Sequence, residues 1–184
     1  MEKLLAPWRH SVKIPGGMDA LFRWIESTPL SVLIRESTSI FGYPAILSAH
    51  AIGMALAAGI SVTVALHLLG FAPGIPTREL KRYVGILWGG FWLNAASGLV
   101  LLIAYPTKAF TNPVFYLKIS LIAVAMVIFV ITDRHLWRAP AAAADAWAAG
   151  TGKVLAAVSL LSWGGAIVAG RLLAYTYRRL MADF

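Results

Sequence analysis

Four polar side chains sit inside long apolar runs of this 184-residue chain: His50, Asn94, Lys118 and Arg171. A polar group in the core of a bilayer is costly, so it is either paired or functional. An imidazole there could ligate a haem iron, and a lysine amine could ligate it too or pair with an anionic group. An arginine could clamp a carboxylate, a haem propionate or a quinone headgroup. His50 lies six residues after Pro44 and Lys118 five after Pro113. If both prolines open helices of the same direction, the two side chains share a depth of about 8–9 Å. Arg171, near the end of a returning helix, reaches a comparable level, and Asn94 could support the site from the second run. The same residues also fit a structural role. Lys118 and Arg171 could snorkel to headgroups, and His50 could hydrogen-bond a neighbouring carbonyl or Asn94.

A second pair, His67 and His135, lies toward the opposite end and is a less favoured haem or metal site. Facing imidazoles from two helices would make a bis-histidine haem b, whereas two interfacial histidines at water level need no cofactor. His50 to His67 is 17 residues, and so is Lys118 to His135. Over that length a side chain rotates by ~100°, or ~50° with left-handed supercoiling. If His50 and Lys118 face each other, His67 and His135 therefore tend to point apart. The same geometry disfavours a two-haem wire with ~25 Å between His50 and His67.

These residues must be carried by membrane helices. The stretch from Pro44 to Gly70 has no acidic residue, Lys or Arg. As a helix it is ~40 Å long, enough to cross a hydrocarbon core of about 30 Å. Further spans are expected at about 83–104, 113–133 and 153–177. The fold class is thus an all-α, integral membrane four-helix up-down bundle over 44–177. Gly89, Gly90, Ala95, Ala96, Ser97 and Gly98 make the second span a packing face. Residues 1–43 hold a basic tail and two short amphipathic helices, with Met18, Leu21, Phe22 and Ile25 on one face and Thr28-Pro29 opening the second. Thr77 to Arg82 forms a charged cap, Pro106 to Pro113 a loop, and 139–152 an Ala-rich connector. Residues 178–184 form a C-terminal tail.

Composition agrees. Hydrophobic residues make up 59% and charged residues 13%, against about a quarter charged in soluble domains. Mean hydropathy is +0.74. The net charge of +8 reads as basic residues flanking spans and meeting anionic lipid, not as a nucleic-acid footprint. Lys3, Arg9, Lys13, Arg23, Arg35, Lys108, Arg178 and Arg179 fall on the N-terminal side; Arg78, Lys81, Arg82, Arg134, Arg138 and Lys153 fall on the other. The excess tilts toward a cytoplasmic N-terminal side. The absence of cysteine excludes disulfides, iron–sulfur clusters and thiolate metal sites. No signal-peptide pattern, Gly-rich phosphate loop or HExxH is found, and no carboxylate pair lies inside the spans.

The ordered motifs SAHAIGMALAAG, LHLLG, ASGLVLL, NPVFYLKISL and GRLLAY resemble a family of small bacterial four-helix integral membrane proteins with no assigned activity. The resemblance covers roughly residues 30–177, and its matching polar positions are His50, Lys118 and Arg171. In that family an acidic residue and an Arg precede LLG; here Ala65, Leu66 and His67 occupy the stretch, so a bis-histidine site would be particular to this chain. More distantly, a His early in span one and a Lys early in span three are similar to the membrane protoporphyrinogen oxidase family, which binds haem b, and to the copper-resistance D domain. The resemblance implies a haem or metal site near His50 and Lys118 in a multi-pass protein of the bacterial inner membrane.

The expected function is therefore a haem-b-associated membrane redox protein acting with quinone or a partner redox protein. His50 would be the axial ligand, Lys118 a second ligand or propionate partner, and Arg171 an anion clamp. A non-catalytic membrane subunit with polar packing residues is the alternative, and copper transport a third. Whether the chain is an enzyme, and whether it forms an oligomer, is left open by the sequence.

Overall fold

The computed structural model describes residues 18–36, 42–71 and 73–182. The expected basic tail over 1–17 lies outside them, as do residues 183–184. Two short helices come first, α1 (Met18–Glu26) and α2 (Pro29–Glu36), followed by the long α3 (Tyr43–Leu68). A short α4 (Thr77–Leu80) and a 3₁₀ turn (Lys81–Tyr83) lead into α5 (Val84–Ala104). Then come α6 (Pro106–Phe110), α7 (Pro113–Trp137), α8 (Ala141–Ala149) and α9 (Thr151–Ala182). Four of the helices, three alone and α5 together with its α4 cap, are long and apolar enough to cross a membrane.

Local chemistry sets the boundaries. α3 starts with Pro in its first turn, where the missing N–H costs nothing. It ends on Gly70 at φ 91°, with Gly70 N–H donating to His67 O (2.9 Å) and Phe71 N–H to Leu66 O (3.0 Å). Those two bonds are a Schellman ending, and only glycine takes that φ without strain. α7 starts at Asn112, whose Oδ1 accepts from Val114 N–H at 3.0 Å, followed by Pro113. Thr28 Oγ1 accepts from Ser31 N–H at 3.4 Å at the head of α2.

Three boundaries differ from the sequence expectation. The stretch expected as a loop after α5 contains α6, because Pro106 can open a helical turn on its own fixed φ. The third helix runs on to Trp137, where Asp133 accepts from Arg138 at 2.8 Å and anchors the last turn. α9 continues through Ala182, into the stretch expected as a tail.

The long helices are not equivalent. α3 packs on α5 and on α9, and α7 packs on α9, while α5 and α7 scarcely touch. Accordingly 39% of the α3 window and 39% of the α9 window are buried, against 17% for that of α5 and 22% for that of α7. The α3–α5 contact is the tightest. A Cβ at Gly53 would stand 2.5 Å from Asn94 N, and one at Gly90 would stand 2.6 Å from Leu56 Cβ. Of the small residues expected as a packing face, Gly90 and Ser97 are buried and Gly98 lies against His50, while Gly89, Ala95 and Ala96 face outward. Contacts pair early α3 with late α5, and Leu121 and Lys118 of α7 with Gly165 and Gly170 of α9, the register of antiparallel neighbours.

At the end of the molecule where α3 begins, α1 and α2 pack on α5 and α6. Phe22 stacks on Phe110 with centroids 5.2 Å apart. Ser31, fully buried, donates to Ile103 O at 3.2 Å and so satisfies a carbonyl of the last turn of α5. The outer faces of α1 and α2 leave Leu21, Trp24, Leu30 and Leu33 exposed.

Candidate functional site

His50 stands on α3, seven residues from Tyr43 and about 10 Å along the helix. Its Nδ1 lies 3.0 Å from Asn94 O and 3.2 Å from Ser97 Oγ. A backbone carbonyl can only accept, so the network places the proton on Nδ1, which donates to Asn94 O. Ser97 spends its own hydroxyl proton on Leu93 O at 2.6 Å, which leaves a lone pair turned to Nδ1. Asn94 Nδ2 returns a bond to His50 O at 2.8 Å. The close approach of Gly53 and Gly90 makes this exchange possible, because any Cβ there would hold α5 away from α3.

With Nδ1 protonated, Nε2 carries the free lone pair. It faces Lys118 Nζ, which donates to it from α7 at 3.4 Å. The stem of Lys118 lies along Gly170 of α9, where a Cβ would be 3.8–4.0 Å from its Cε, Cδ and Nζ. Among the described residues Lys118 has no other hydrogen-bond or ion-pair partner. The one acidic residue within the four long described helices is Asp133, about 22 Å further along α7 and paired with Arg138. Two partly buried nitrogen groups from different helices therefore meet with no anion between them among the described residues.

The remaining candidates fall elsewhere. Arg171 follows Gly170 and so shares the level of Lys118, but its side chain is exposed and makes no hydrogen bond or ion pair among the described residues. His67 Nε2 lies 3.0 Å from Thr77 Oγ1, and His135 stacks flat on Trp147 at 5.3 Å and is exposed. These two histidines have different partners, one a threonine and the other a tryptophan ring. The sequence marks Ser97 as a small packing residue and not as a partner of His50, although it follows Asn94 by three residues and so shares its helix face. At the end of the molecule where α3 begins, Tyr43 meets Tyr105 edge-on at 6.1 Å, and the Arg35 guanidinium stands 5.9 Å over the Tyr105 ring.

Haem can be tested against this donor set. A ligating imidazole normally donates its other N–H to a carbonyl or carboxylate, which fixes the tautomer and ring orientation. His50 meets that requirement through Asn94 O. The Lys118 amine stands in direct contact with Nε2 at 3.4 Å, so it would have to swing aside on its flexible stem to leave Nε2 to a ligand. α7 itself packs closely on α9 and does not supply that room. The donor set fits the group in chemistry, while the gap between the two nitrogens as they stand is filled by their own contact. Among the described residues no three of His, Cys, Asp and Glu converge, so an ion held by protein carboxylates and imidazoles alone has no cage here. No protein-family model, curated protein or solved structure matches the chain.

Proposed function

We propose that this chain is a multi-pass protein of the bacterial inner membrane, an up-down four-span bundle with α1 and α2 lying at the interface, and that it holds haem b at His50 for electron transfer with quinone or a partner redox protein. The observation that supports the reading is the unprotonated Nε2 of His50, in a ring fixed by Asn94 and Ser97, which meets only the Lys118 amine, with no carboxylate beside it among the described residues. Haem b, when bound, supplies one-electron redox chemistry. His50 Nε2 would hold the iron, and Asn94 O accepts from Nδ1–H and so fixes the ring. Lys118 serves as the second donor or as partner to a propionate. Arg171 offers an outward-facing cation at the same level for an acidic headgroup or propionate.

The test is a reduced-minus-oxidised visible spectrum of the detergent-purified protein, with pyridine haemochrome quantitation. A b-type signal near one haem per chain that is lost in His50→Ala is expected. No signal after expression with ample haem supply would refute the cofactor. One observation favours a second reading, a subunit whose polar residues lock helix packing: His50 and Asn94 satisfy each other without any ligand. In that case His50→Ala lowers thermal stability and removes no chromophore.

A further inference from the structure

At the end opposite His50, the ends of α3 and α7, the start of α9 and the short helices α4 and α8 surround a cavity of about 550 Å³. That volume is in the range of sites for organic ligands and well beyond a single ion. Its floor is apolar and buried, made by Leu68, Leu136 and Ala144. The rim carries three cations, Arg78, Lys81 and Lys153, against one carboxylate, Asp145. Arg78 also meets Glu79 at 3.8 Å, but the pair is exposed and holds the guanidinium weakly. The backbone beneath is firm, because Trp137 Nε1 donates to Thr77 O at 3.0 Å and ties α7 to α4.

An apolar floor under a cationic rim, at the mouth of helices that can span a bilayer, suits one kind of molecule. It is an amphiphile with a phosphate head and an acyl body. We propose that this cavity binds the headgroup of an anionic phospholipid, with the phosphate on Arg78, Lys81 and Lys153 and the glycerol and first methylenes on Leu68 and Leu136. Basic pockets between membrane helices recognise lipid phosphates by the same charge logic. The assignment rests on the membrane placement proposed above and is independent of haem.

The test titrates the full-length, detergent-purified protein with dihexanoyl phosphatidylglycerol, with dihexanoyl phosphatidylcholine and with inorganic phosphate, following tryptophan fluorescence. Saturable binding of the glycerol lipid, weakened by salt and much stronger than that of the choline lipid, is expected. Each of Arg78→Gln, Lys81→Gln and Lys153→Gln should weaken it about fivefold. Single variants keep the test valid if the triple variant folds poorly. Equal binding of both lipids, or indifference to all three substitutions, would overturn the proposal. Equal saturation by inorganic phosphate would overturn the lipid assignment in favour of a soluble phosphate compound. A chain that leaves membranes only with detergent yet shows no preference for the anionic lipid refutes this site and leaves the membrane reading standing.

Discussion

The α3–α5 crossing gives the sharpest expectation, through Gly53→Ala. The new methyl would meet Asn94 N at 2.5 Å, Gly90 O at 2.7 Å and Asn94 Cα at 2.9 Å, all backbone atoms that no rotamer change can move. The helices must part by about 0.9 Å, the gap between 2.5 Å and the 3.4 Å of ordinary contact. Such a shift carries the Asn94 Nδ2 to His50 O bond from 2.8 Å to about 3.7 Å, beyond hydrogen-bond reach. Overpacking costs about 1–3 kcal/mol and the lost bond about 0.5–1.5, so the expected loss is about 1.5–4.5 kcal/mol. Gly59→Ala is the matched control on the same helix, since its Cβ would meet nothing within 4 Å. It should leave stability unchanged or raise it by up to about 1 kcal/mol through helix propensity. Thermal unfolding followed by circular dichroism in detergent compares the two. Equal stability of Gly53→Ala and Gly59→Ala would refute the crossing geometry and, with it, the placement of His50 against Asn94.

Two further substitutions test other parts of the account. Trp163 is 1% exposed and its Nε1 has no hydrogen-bond partner among the described residues; Trp163→Phe removes that unsatisfied donor and should stay within about 1 kcal/mol of the parent in the same assay. A loss above about 3 kcal/mol would mean that the indole N–H is satisfied after all. Lys118→Met keeps the length of the side chain and removes its charge, so the haem-free protein should be as stable or more so while haem content falls. A clear loss of stability with full haem content would reverse the roles assigned to Lys118.

Much of the fold is legible in the sequence because the signals are local. Unbroken apolar length gives the four long helices, Asn112-Pro113 and Pro44 give their starts, and Gly70 gives an end. The shared depth of His50 and Lys118 also follows from simple rise, since each sits near the start of its own helix. What the sequence does not carry is which helices are neighbours. All four are apolar on every side, so periodicity does not say that α3 and α9 lie inside and that α5 and α7 flank them. For the same reason only half of the small residues of α5 face α3. Gly90 and Ser97 do so through their rotation relative to Gly53 and His50, which spacing alone does not fix. Arg171 shows the limit of reasoning from depth: its level agrees with that of Lys118, but its azimuth turns the side chain outward.

The two halves of the His50 site are held by unequal means, and this bears on which reading is right. His50 is fixed by the tightest helix crossing in the molecule, with glycines on both helices and reciprocal bonds to Asn94. Lys118 is carried by α7, which meets α9 closely but not α5, and reaches His50 only through a long side chain. A polar pair that served packing alone would gain most with both partners on closely packed helices, where the bond adds to van der Waals contact. Here the bond spans the looser seam instead, and it brings a potentially charged amine into an apolar interior with no carboxylate to offset it. Such an amine is costly unless an anionic or electron-accepting group can share the seam. One donor held rigid by the helix crossing and another carried on a flexible four-carbon stem is an arrangement that can admit such a group without disturbing the α3–α5 crossing.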